Sequence, residues 1–274
     1  VLKNGIRMDS DFRTSSGVVD MQGVESLQVI RGAAAITQGM ANGLGSAGGV
    51  INVITKTPRY TNSGNIGLRV GSWNQIRTTF DVQRVLDQDK KFAFRINGAY
   101  QQGDSWKDVV NNDRIYVNPS FTWRPDNKTE IILEMDYLKD NTTPDRGTIN
   151  LAGDDKEALV DMKHNFLGFK DDNNKTENIT YAARINRKLT DNIDLRVAYY
   201  NSYYESDQIG STLVKADLKS ANQKYRGLGR SFRNDRNSTV QIDLMGKNMQ
   251  AGILKWAWQV GYDYSYSRVD TRSA

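Results

Sequence analysis

The 274 residues carry 37 Lys and Arg against 32 Asp and Glu, a formal charge of +5, with 38% hydrophobic residues and no cysteine. These values exclude a disulfide scaffold and thiolate metal sites, and without an apolar run of eighteen residues they exclude a membrane-spanning helix. Basic and acidic residues are mixed along the chain rather than clustered, so nucleic acid is not an expected partner.

The first residues, Val1 to Met8, read as a short strand, turn and strand, followed by a serine-rich loop. Asp20 is placed to cap a brief helix over Met21 to Glu25, because a carboxylate there accepts the orphan N–H groups of the first turn. A strand over Ser26 to Ile30 ends at Arg31-Gly32, an Ala-rich helix is expected over Ala33 to Gln38, and a glycine-dense turn leads into a strand over Val50 to Thr55. Gly43, Gly45 and Gly48 spell G-x-G-x-x-G, but a dinucleotide site needs a strand before the glycines and a helix after them. The order here is the reverse, so the glycines are read as permitting positive φ in a tight crossover.

From Gly64 the pattern changes to a period of two. Phe92, Phe94, Ile96 and Tyr100 alternate with Ala93, Arg95, Asn97 and Ala99, and Ile115, Val117, Phe121 and Trp123 with Tyr116, Asn118, Thr122 and Arg124. The same alternation recurs over 131–137, 179–185, 193–199, 240–244 and 256–266. With Ile66 to Val70 and Thr78 to Arg84 this makes about nine strands of the length that a tilted membrane strand requires. The connections alternate between short turns, such as Leu86 to Lys90, Arg124 to Lys128 and Lys188 to Asn192, and longer ones. Two long loops are expected, one of about forty residues over Lys139 to Asn178 and one of more than about thirty over Glu205 to Asn237. Short turns on one side and long loops on the other are an outer-membrane barrel pattern. On that reading Trp123, Trp256 and Trp258 lie near the periplasmic interface and Tyr100, Tyr199, Tyr264 and Tyr266 near the outer one.

The unit VESLQVIRG, AAAITQG, MANGLGSAGG and VINVITKTP, Val24 to Pro58, resembles the end of the plug domain in TonB-dependent outer-membrane receptors, although Ala33 stands where that family usually has Pro. TPDRGT at Thr143 to Thr148 resembles a stretch of the ferric-siderophore branch. The resemblance implies an all-β transmembrane barrel, of 22 strands in the family, enclosing an α+β plug. It implies that residues 1–58 are the C-terminal part of the plug and 59–274 the N-terminal part of the barrel, a segment of a larger receptor in the bacterial outer membrane. It also implies TonB-dependent import of ferric siderophores, with an inner-membrane energy-coupling protein of the TonB type and outer-membrane lipid as partners. Iron would arrive as substrate inside the chelate, so neither a cofactor nor a protein metal site is expected.

Candidate ligand contacts follow from the same resemblance: Gln38, just before the glycine that ends the short helix, and the apex loop with Arg7, Asp9, Asp11, Phe12 and Arg13. Trp73 and Trp106 join them as exposed aromatics at predicted extracellular turns. No nucleophile–base set accompanies the only histidine, His164, so an enzyme is not expected. Import of a glycan or of cobalamin remains the alternative, although Asp154-Asp155 and Asp171 to Asn174 lack the spacing of a calcium loop. A passive porin would not need the Val24 to Pro58 unit. A secreted β-sandwich adhesin is the remote alternative.

Overall fold

The computed structural model describes residues 2–7, 20–31, 50–145, 164, 166, 168–216 and 224–274. Two sheets form. The first has the order β2-β1-β4-β3, with β1 (Leu2–Lys3), β2 (Ile6–Arg7), β3 (Val24–Ile30) and β4 (Val50–Thr55), and β1 runs parallel to β4. Asn4 and Gly5 join β1 to β2 with φ of 52° and 80°, a two-residue turn whose twist matches that of the flanking strands. The Asp20 side chain accepts the Gln22 N–H at 2.8 Å, as a cap should. The expected helix stops after one 3-10 turn, Met21–Gly23, because Val24 already pairs with Thr55 as the first residue of β3. The expected helix over Ala33 to Gln38 and the G-x-G-x-x-G turn lie outside the described residues.

The second sheet is an antiparallel meander of nine strands in sequence order. They are β5 (Ser63–Val70), β6 (Ile76–Val85), β7 (Phe92–Asp104), β8 (Asn111–Asp126), β9 (Thr129–Thr142), β10 (Asn173–Lys188), β11 (Ile193–Ala216), β12 (Lys224–Ala251) and β13 (Leu254–Ser273). At one end the connections are short. At the other end lie residues 71–75 and 105–110, and there β9 ends at Thr142, β10 begins at Asn173, β11 ends at Ala216 and β12 begins at Lys224.

The expected loop over Glu205 to Asn237 is instead mostly strand. β11 and β12 pair through it, from Glu205↔Asn234 to Gly210↔Gly229 and beyond. Period-two alternation marks a strand only while its two faces meet different solvents. Here both faces are polar, so the signal vanishes while the pairing continues. For the same reason β9 and β10 run into the first expected loop, β9 as far as Thr142 and β10 from Asn173.

Burial in the nine-stranded sheet is the reverse of a soluble sandwich. Asn97 and Asn118 are 0% exposed, and Thr122, Glu134, Asp136 and Thr180 are buried, while Leu133, Tyr181, Tyr199, Val260 and Tyr262 are exposed. The apolar face therefore looks outward and the polar face inward, as in a barrel wall bathed in lipid. Phe92 and Trp123 stack at 5.8 Å near the short-turn end, and Tyr264 and Tyr266 stand at the other end of the outward band on β13.

Pro119 sits in the middle of β8, where it has no N–H to give the neighbouring strand. The β8–β9 ladder runs through Val117↔Tyr137 and resumes at Ser120↔Glu134. The Asn118 side chain fills the gap by donating from Nδ2 to the Met135 carbonyl at 2.9 Å. Inside lipid an unpaired carbonyl costs several kcal/mol, so this substitution makes a proline tolerable in a central strand.

Met135 lies midway between the Trp123 and Tyr100 levels. In the full-length protein Met135→Arg is expected to cost about 2–4 kcal/mol, whereas Tyr266→Arg at the rim costs about 0–1 kcal/mol. Equilibrium unfolding from lipid vesicles measures both.

Candidate functional site

The site is built at the end of the wall where the longer connections emerge. Trp73, in the β5–β6 connection, is 57% exposed and has φ of 55°. It is held by the Asp104 N–H, which donates to its carbonyl at 2.9 Å, and its neighbour Asn74 donates to the Asp104 carboxylate at 2.7 Å. A non-glycine residue at positive φ is a strained position that its surroundings must impose. The turn therefore presents the indole outward on a fixed base.

Trp106, in the β7–β8 connection, is 43% exposed. His164 Nδ1 lies 3.0 Å from the Trp106 carbonyl oxygen, and since a carbonyl only accepts, Nδ1 carries the proton. The imidazole meets the indole edge-on with centroids 5.8 Å apart, and the Asp108 N–H donates to the His164 carbonyl at 3.1 Å. Lys107 is buried, lies over the Trp106 ring at 5.2 Å and pairs with Asp145 at 2.9 Å. The tie that Asp145 makes here is with Lys107, so the β7–β8 connection and the first long loop are fastened together at two points.

Of the sequence candidates, Trp73 and Trp106 stand at this end of the wall. Arg7 is the last residue of β2, opposite Leu2. Asp9, Asp11, Phe12, Arg13 and Gln38 lie outside the described residues. Lys107, Asp145 and His164 were not among the candidates.

The small sheet is fastened to the polar inner face of the wall by ion pairs. Lys3 enters between Asp136, with which it pairs, and Glu134 at 4.0 Å. Glu134 is held from its other side by Arg184 at 2.9 Å, and Asp136 accepts from Tyr116 OH at 2.7 Å and from Asn118 at 2.9 Å. Burial pushes the Lys3 ammonium below its ordinary range, against the Glu134 carboxylate, which pulls it up. Arg196 donates to the Asn4 carbonyl from the same wall.

A second group of ties lies over β6 to β8. Asp20 pairs with Arg77 at 2.6 Å, and Asp81 is shared by Lys56 at 3.0 Å and Arg95 at 2.8 Å. Arg95 also donates to the Thr57 carbonyl at 3.0 Å. Gly23 passes so close to the wall that a Cβ there would lie 1.8 Å from the Tyr116 hydroxyl. Among the described residues no group of three His, Asp or Glu side chains is arranged to hold a metal ion.

No family model matches the chain. It is 26% identical over 251 residues to the metal-pseudopaline receptor CntO of Pseudomonas aeruginosa strain UCBPP-PA14, covering 89% of this chain and 34% of that protein. It is 23% identical over 288 residues to the ferrichrome outer membrane transporter/phage receptor of Escherichia coli K12, covering 97% of this chain and 38% of the relative. The crystal structure of the siderophore receptor PiuA from Acinetobacter baumannii superposes with a TM-score of 0.82 at 24% identity, over 98% of this chain and 38% of that one. The chain thus spans little more than a third of the length of the relatives it matches. A further relative, at 25% identity over 284 residues, is the probable TonB-dependent siderophore receptor PiuA of Acinetobacter baumannii, covering 98% of this chain and 36% of that protein, and the strands have the fold of an outer-membrane barrel.

Removing Lys3 leaves two buried carboxylates with one fewer cation. Lys3→Met in the full-length receptor is expected to cost about 3–5 kcal/mol, read as a lowered thermal midpoint in detergent. The charge exchange Lys3→Asp with Asp136→Lys is expected to recover much of that loss.

Proposed function

We propose that this chain is a segment of an outer-membrane receptor that imports ferric siderophores with energy from a TonB-type inner-membrane protein. On this reading residues 1–58 belong to the plug and 59–274 to the barrel wall. The observation that carries it is the seating of the small sheet: Lys3, Asp20 and Lys56 form ion pairs with a wall that is polar inside and apolar outside. An open pore has no use for such an insert, and a sandwich in water has no use for such a wall. The named ligands of the relatives, metal-pseudopaline and ferrichrome, support a metal chelate as cargo.

The chelate holds its own metal, so the receptor supplies aromatic surface and hydrogen-bond donors rather than first-shell ligands. Trp73 and Trp106 are the described residues assigned to that contact, with Arg7, Asp9, Asp11, Phe12, Arg13 and Gln38 completing it from the plug apex. No bond is made or broken. Import would proceed by remodelling of the plug under force.

The test is uptake of labelled ferric chelates by iron-starved cells carrying the full-length receptor, with and without the energy-coupling protein. Uptake that depends on the partner supports the reading. Partner-dependent uptake of cobalamin or an oligosaccharide in place of chelates would change the substrate, and partner-independent permeation would sink the receptor assignment. In the same cells Trp106→Ala is expected to weaken chelate binding about 5- to 10-fold, since a lost aromatic contact is worth about 1–1.4 kcal/mol.

A further inference from the structure

A cavity of 650 Å³ opens among the short turns, where Arg124, Glu130 and Arg196 line it from the polar inner face of the wall. Arg196, which donates to the Asn4 carbonyl, links its lining to the β1–β2 turn. Eight basic side chains line it against four acidic ones.

Every one of the four carboxylates is already neutralised. Asp89 pairs with Lys91 at 3.6 Å and Glu130 with Arg124 at 2.6 Å. Asp126 pairs with Arg187 at 3.9 Å and Asp194 with Lys247 at 2.7 Å. Arg196 lies near Asp243 and Asp263 on β12 and β13. Lys90, Lys128 and Lys188 remain, and among the described residues their ammonium groups have no ion pair or hydrogen bond. Lys90 and Lys128 come from two short turns and Lys188 is the last residue of β10, next to a third, and all three line the same cavity.

An uncompensated set of cations lining a concave surface raises the local concentration of anions there. Rings of Lys and Arg select anions in membrane pores by the same physics. We propose that this cavity is the chamber through which cargo leaves toward the periplasm, and that its three free lysines fit it to a ferric chelate of net negative charge. Catecholate or carboxylate donors give such a complex, whereas hydroxamate donors leave ferric iron neutral overall. The inference rests on the import reading above and adds the charge class of the substrate to it.

The test uses the full-length receptor in iron-starved cells with its energy-coupling partner. The probes are a labelled ferric tricatecholate, which is anionic, and a labelled ferric trihydroxamate, which is neutral. The triple variant Lys90→Gln, Lys128→Gln, Lys188→Gln is expected to import the tricatecholate at least about fivefold more slowly, with its affinity at the cell surface unchanged. The triple Lys→Arg variant keeps the charge and is expected to import at the wild-type rate.

Equal import by the wild type and the Gln variant would overturn the proposal. So would an equal loss for both chelates, or a wild type that imports only the neutral one. A wild type that imports no chelate at all would instead sink the import reading, and this proposal with it.

Discussion

A strand that crosses lipid must find a partner for every backbone N–H and C=O within the wall, because the surroundings offer none. The nine-stranded meander meets this demand by continuous antiparallel pairing, and every other feature of the chain follows from it. Pro119 is the informative exception. It breaks the β8–β9 ladder at mid-membrane, and Asn118 repairs the breach with its own amide. The same amide also reaches Asp136 and accepts from Asn97 at 2.9 Å. One residue thus serves the backbone of the wall and the polar network on its inner surface.

Turning the apolar face outward has a second consequence. The inner face is left with buried carboxylates, amides and guanidinium groups, and a buried charge without a partner is costly. Glu134, Asp136, Asp81 and Arg77 therefore need counter-groups, and the small sheet supplies many of them through Lys3, Lys56 and Asp20. Wall and insert are complementary in charge, with an apolar contact where Ile6 of β2 is buried with Ala182, Ala198 and Tyr200 of the wall. The close pass of Gly23 over Tyr116 belongs to the same fit, since any side chain there would push the tyrosine off Asp136.

Much of the wall was legible in the sequence because lipid on one side and polar groups on the other write a period of two. All nine strands were found, and their cores sit where the alternation is cleanest. Their ends were not legible. Beyond Asn201 on β11 the outward side chains turn polar, with Tyr203, Glu205 and Asp207 facing Arg236, Asn234 and Phe232 on β12, and with similar solvent on both faces the period disappears. The site was legible only as exposed aromatics. Trp73 and Trp106 could be picked out, but Lys107–Asp145 and Trp106–His164 join residues 38 and 58 positions apart. Pairs of that kind leave no local signal.

The polar character of the seam also bears on how an insert of this kind could move. A seam made of apolar surface would lose about 25 cal/mol for each Å² returned to water, so opening it would be steeply unfavourable throughout. Ion pairs behave differently, because the desolvation they suffered on closing is recovered when water enters. A wall lined by Glu134, Asp136, Arg184 and Arg196 remains soluble in its own channel once Lys3 and Asn4 withdraw. The seam is specific in position, since its charges are matched pair by pair or shared in small groups, and apart from the Ile6 contact its rupture exposes groups that water solvates. Charge complementarity therefore fixes where the insert sits while leaving a seam whose charged groups water can take up when it opens.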